Sequence, residues 1–188
     1  MKKFLCIFAL AAMTAVAANA QPRAIGGRIG SGIGFTYQHS VGGDNMISAD
    51  LDFPLYYGGI SATATYDWIF PINSWTEKGS WNWYAGAGAG LGFGWPHTEK
   101  QTVMGVTARS HAGSFNIGVT GRIGVEYNFW FPLQLSLDWR PTIGPGIAWN
   151  NTSVTMNGET TRENNTSVVF NTGGLYAGSI CLGVRYLF

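Results

Sequence analysis

Apolar side chains recur at every second position over most of the chain. In 24–38 one register holds Ile25, Ile29, Ile33, Phe35 and Tyr37, and the other holds Arg28, Thr36 and Gln38 among glycines. The same alternation runs through 46–57, 60–70, 81–95, 115–129 and 133–147, and it closes the chain as ICLGVRYLF, Ile180 to Phe188. Period two is the pattern of a β-strand with two unlike faces. The segments are long enough for tilted strands of about 9–11 residues that cross a bilayer. The first segment carries Gly30-Ser31-Gly32 at its centre, where glycine tolerates the backbone of a tight turn. Folding 23–40 there turns seven segments into eight strands.

The start of the chain reads differently. Met1-Lys2-Lys3 precedes an apolar run from Phe4 to Met13 and a small-residue stretch ending Ala18-Asn19-Ala20. That order predicts a secretory signal peptide over 1–20 and a single domain over 21–188. The apolar run is too short for a spanning helix of about 20 residues, and no later stretch supplies one. Beyond the leader only Cys181 remains, so no internal disulfide is available.

Composition then narrows the class. Aromatics make up 14% and charged residues only 11%, against about 25% charged in an average protein. Such a chain has a solvent other than water over part of its surface. Without helices, only a closed β-barrel satisfies every backbone group in lipid. The expected fold is all-β, an eight-stranded antiparallel transmembrane up-and-down β-barrel. Without the leader's Lys2 and Lys3, nine basic residues face ten acidic ones, so there is no basic field for nucleic acid.

The placement of charge bears on which face meets lipid. Nine charged residues fall inside the alternating segments: Arg28, Asp50, Asp52, Asp67, Arg122, Glu126, Asp138, Arg140 and Arg185. All nine occupy the polar register, as a lipid-facing surface requires, because Arg or Lys at mid-bilayer costs roughly 2–4 kcal/mol. The other ten, from Arg23 to Glu163, fall in expected termini, turns and loops. Trp81, Trp83, Trp95, Tyr57, Tyr66, Trp68, Tyr127, Phe129, Tyr186 and Phe188 gather towards segment ends on the apolar register, as interfacial girdles do. A soluble barrel with an apolar interior has the same periodicity, but a small one has little room for so many rings. The nine charges are expected to fill the lumen as a paired ionic plug, with the glycines of 81–95 leaving space on one wall.

Short turns at 39–44, 71–80 and 130–132 are expected on the periplasmic side. Gly58-Gly59, 96–112 and 149–170 are then external loops. Other chemistry is sparse. His97 and His111 share the 96–112 loop with Ser110 and Glu99, the residue types of a hydrolase, but proximity in sequence is no triad geometry. No spacing marks a metal or cofactor site. Gly86-x-Gly88-x-Gly90-x-Gly92 keeps the period of a strand, and no Gly-Lys-Ser/Thr follows it.

The stretch GVEYNFWFPLQLSLDWRP, Gly124 to Pro141, and the ending ICLGVRYLF resemble small outer-membrane barrels of Gram-negative bacteria, of the OmpA/OmpX type. The ending is similar to that family's assembly signal, in which Gly183, Tyr186 and Phe188 take the glycine and aromatic places. The resemblance implies an outer-membrane location and insertion by the β-barrel assembly machinery after periplasmic chaperones, with lipid as the surrounding partner. It implies no single activity. The expected role is structural or surface-interacting, without catalysis or cofactor. A lipid A deacylase or acyltransferase, or a narrow pore, is the alternative.

Overall fold

The computed structural model describes residues 22–55, 58–73, 75–103, 106–156, 159–171 and 180–188. The predicted leader, Tyr57 and the other remaining positions lie outside the described residues. Ten strands appear: β1 (Pro22–Ile29), β2 (Gly32–Ser40), β3 (Asn45–Pro54), β4 (Gly59–Ile72), β5 (Ser80–Val103), β6 (Val106–Asn128), β7 (Leu133–Trp139), β8 (Thr142–Met156), β9 (Glu159–Asn171) and β10 (Ile180–Leu187). All pairings are antiparallel.

The ring runs β1–β2–β3–β4–β5–β6–β7–β10 and closes on β1. β8 continues β7, because β6 pairs with both in one unbroken register, Ile123 with Trp139 and Thr120 with Thr142. Pro141 lies in the gap, where it has no N–H to donate. β9 pairs with β8 and β10 with β7, so they are the upper and lower parts of the last passage. Eight passages therefore make a closed up-and-down barrel, with the first hairpin folded at Gly30-Ser31 as expected.

The connections follow residue chemistry. Gly42 and Gly43 adopt φ of 99° and 59° between β2 and β3, a conformation glycine reaches without strain. The β1 start, the β2–β3, β4–β5 and β6–β7 turns and Phe188 share one end, called lower here. Large apolar side chains such as Phe35, Leu91, Ile117, Val119, Ile123 and Leu182 are exposed on the outer wall, while polar and charged ones are buried inside. This inverts a soluble core, and it is stable only where hydrocarbon covers the wall.

Four strands, β5, β6, β8 and β9, do not stop at the rim. β5 and β6 are 24 and 23 residues long, and their upper parts pair with each other and with β8 and β9. Segments 96–112 and 149–170, expected as loops, are largely strand. They form a four-stranded sheet, β5–β6–β8–β9, standing above the shorter β1–β4 side. Above the membrane both strand faces meet water, so the apolar alternation that marks a strand fades although the backbone ladder continues.

Candidate functional site

The lumen is packed with polar side chains in three tiers. At the lower end Glu126 accepts from Arg23 (Arg23 Nη1 to Oε2 3.2 Å), from Asn82 at 3.0 Å and from Gln134 at 3.0 Å. Arg23 was expected in the N-terminal tail. The bulge between Pro22 and Ala24 turns it inwards, as bulges commonly re-aim a side chain. It brings the lumen to five arginines and five carboxylates, an even balance.

The middle tier centres on Arg122 and Asp138. Arg122 donates to Asp67 Oδ2 at 2.9 Å and to Asp138 Oδ2 at 3.0 Å, and its guanidinium lies 4.7 Å from the Tyr84 ring centroid. Tyr84 donates its hydroxyl hydrogen to Asp138 at 3.0 Å, and Ser48 donates to Asp67 at 2.7 Å. Arg185 donates to Thr36 at 3.0 Å, to Gln134 at 3.0 Å and to Ser136 at 2.7 Å. In the upper tier Arg140 pairs with Asp50 and, at 3.2 Å, with Asp138. Arg28 pairs with Asp52 at 3.2 Å and with Asp50 at 3.6 Å. All nine charged residues read from the sequence thus sit in the lumen, and all but Asp52 are buried.

A recurrent device brings these partners together. Asp67, Gly86 and Arg122 are directly opposite one another on β4, β5 and β6, and the ion pair forms across the glycine. Tyr84–Gly124–Asp138 repeats this on β5, β6 and β7. Arg28–Gly34–Asp52 does so on β1, β2 and β3, and Thr36–Gly26–Arg185 on β2, β1 and β10. A Cβ on Gly86 would lie 2.1 Å from Asp67 Oδ1 and 2.4 Å from the Tyr66 carbonyl. The glycines of β5 do leave space on one wall, and carboxylate as well as guanidinium uses it.

The protruding sheet has two faces, fixed by register because directly opposed residues share a face. The outer face continues the lipid-facing wall. Moving upwards, its rows are Phe115–Ile147–Val168, then Gly113–Trp149–Thr166, then Thr98–His111–Asn151–Asn164, then Lys100–Arg109–Ser153–Arg162. The Trp149 ring occupies the space beside Gly113, where an added Cβ would collide with it. The inner face carries Glu99–Ser110–Thr152–Glu163, with Glu159 above. Every cation of this sheet is on one face and every carboxylate on the other.

Register also separates Ser110 from His111. Ser110 faces inwards and donates to Asn150 at 2.7 Å, whereas His111 faces outwards with its Nδ1 3.0 Å from Thr98 Oγ1. Among the described residues no three His, Cys, Asp or Glu side chains group as metal ligands do.

At the lower end aromatic rings form a belt. Phe70 stacks on Trp83 at 4.2 Å, Trp81 meets Tyr127 at 4.9 Å, Tyr127 meets Phe129 at 4.6 Å, and Tyr186 meets Phe188 at 5.4 Å. Gly183 faces the lumen opposite Ser136. No curated protein and no solved structure matches the chain. The model of the outer membrane protein β-barrel domain matches residues 7–179. Inverted wall, buried ionic lumen and aromatic belt agree with that match, and the chain belongs to the outer membrane protein β-barrel domain family.

Proposed function

We propose that this outer-membrane barrel is a non-catalytic anchor whose working part is the protruding sheet, presented at the cell surface for contact. The observation that carries this reading is the asymmetry of the barrel. Its lumen is packed with paired side chains, while four strands extend beyond the rim with both faces available. The inner face joins exposed Val103, Val154 and Met156 to Glu99, Glu159 and Glu163, apolar groups that can form a contact centre with the acidic ones at its polar rim. The side chains that fill the lumen argue against a wide pore. The opposed directions of Ser110 and His111 argue against a serine hydrolase at the rim.

The test uses the purified barrel and a variant lacking 98–111 and 151–164, the upper parts of the two hairpins. The shortened protein is expected to assemble and to keep its heat-modifiable mobility. A photo-crosslinker at Thr152 of the full chain is expected to capture an envelope or extracellular partner. Steady single-channel conductance overturns the reading in favour of a pore. Acyl release from lipid that is lost with Ser110→Ala overturns it in favour of an enzyme.

A further inference from the structure

The opposite face of the same sheet points to a different ligand. Resting on the surface reading above, we propose that the outer face binds a phosphorylated glycolipid of the outer leaflet, with Lys100, Arg109 and Arg162 as the phosphate ligands.

Continuity places the lipid. Below the row of Trp149 this face is apolar and meets acyl chains, and Trp149 is the ring expected at headgroup level. A lipid packed against that wall extends its headgroup upwards along the same face. The next row offers a hydroxyl, an imidazole and two amides from Thr98, His111, Asn151 and Asn164, groups that donate to and accept from sugar hydroxyls. The cations follow four residues beyond Trp149, about 14 Å along the strand at the usual rise of about 3.4 Å per residue, which is about 10 Å of height at the usual strand tilt of about 40°. A simple phospholipid carries its phosphate at the level of the tryptophan. Cations placed beyond a hydroxyl-binding row fit a saccharide headgroup bearing phosphate.

Charge gives the second argument. Lys100 and Arg109 are directly opposite each other, an arrangement that destabilises a strand pair unless an anion lies between the two charges. Arg162 stands in the same row, with the small Ser153 between it and Arg109. All three cations are exposed, and among the described residues no carboxylate lies within 4.0 Å of them. Glu99 and Glu163 are adjacent in sequence, yet the strand period turns them to the other face. Three cations in one row, none with a carboxylate beside it among the described residues, match the oxygens of phosphate, which guanidinium binds in a bidentate fork.

The experiment measures lipid retention on the intact mature barrel by native mass spectrometry. The probes are bisphosphorylated lipid A, the same lipid dephosphorylated, and inorganic phosphate as competitor. Wild type is expected to retain the phosphorylated form at least tenfold better than the dephosphorylated one. The triple variant Lys100→Gln, Arg109→Gln, Arg162→Gln is expected to lose that preference, and Lys78→Gln, at the lower end, to keep it. If the triple variant does not assemble, Arg109→Gln and Arg162→Gln singly are each expected to reduce retention about threefold. Equal retention of both lipids by wild type, or unchanged retention in the charge variants, overturns the proposal. Displacement of the lipid by low millimolar phosphate also overturns it, because the row is then a site for a free anion. None of these results touches the surface role, which fails only through conductance or acyl release.

Discussion

In the row Asp67–Gly86–Arg122 the middle residue has no side chain, and the two outer ones therefore meet across its strand. Two effects can be separated there. Gly86→Ala places a methyl group against Asp67 and the Tyr66 carbonyl, and overpacking of this kind costs about 1–3 kcal/mol. Arg122→Ala instead removes the cation. Asp138 keeps Arg140 and Arg185 nearby, but Asp67 is left with Ser48 and Thr65 alone. A buried carboxylate stripped of its cation costs about 3–5 kcal/mol. The thermal midpoint of the detergent-folded barrel is expected to fall in both variants, and further in Arg122→Ala. Adding Asp67→Asn to Arg122→Ala is expected to recover part of the loss, since the amide carries no charge. If the midpoint is unchanged in Arg122→Ala, the ionic lumen contributes nothing to stability. The identity of the lumen charges was legible in the sequence because lipid forces them into one register. Their pairing was not, because pairing depends on which strands are neighbours and in what register. Arg23 escaped for a local reason: a bulge reversed its direction at the point where the alternation begins.

At the scale of the element, β6 passes through two solvents. Val119 is exposed on its outer face within the apolar band, and Thr107 lies on the same face twelve residues above it. β6 is one strand throughout, although its pairing with β5 carries a bulge between Gly94 and His97. A lysine at Val119 is expected to destabilise the barrel by roughly 2–4 kcal/mol in bilayer refolding titrations, and a lysine at Thr107 by less than about 1 kcal/mol. Equal costs at the two sites would place Thr107 inside the hydrocarbon and would remove the distinction between barrel and protruding sheet. This change of solvent also explains why 96–112 and 149–170 carry the sequence pattern of loops although they are largely strand. Alternation is a record of unequal surroundings on the two faces, not of strand conformation itself. Where water lies on both sides, Thr, Asn, Ser and charged residues occupy either register. Strand-forming preference remains in residues such as Thr152, Val154, Thr160 and Thr161, but it is a weaker signal than a lipid-facing stripe. The charge partition between the two faces was present in the sequence as well. It becomes visible only when register assigns each residue to its side.

For the whole molecule, the closed ring means that first and last strands must find each other. β1 pairs with β10 from Ala24–Leu187 to Ile29–Leu182, and the Phe188 N–H donates to the Arg23 carbonyl at 3.1 Å. Phe188 itself is largely exposed, and its ring contact is with Tyr186, another outward residue. Little of the folded barrel's packing therefore depends on the Phe188 side chain. Truncation of Phe188 removes an exposed ring and one backbone bond at the seam, and the thermal midpoint of the folded protein is expected to drop only slightly. Assembly is a different matter. If the alternating end of β10 is what the insertion machinery engages, as the resemblance of Gly183, Tyr186 and Phe188 to an assembly signal implies, then loss of the terminal ring slows insertion without weakening the product. The two effects separate in one comparison: the yield of heat-modifiable protein in outer-membrane fractions, against the midpoint of the same variant refolded in detergent. A large drop in yield with a near-constant midpoint is the expected outcome. A parallel fall in both would make Phe188 a structural element of the seam and not an address.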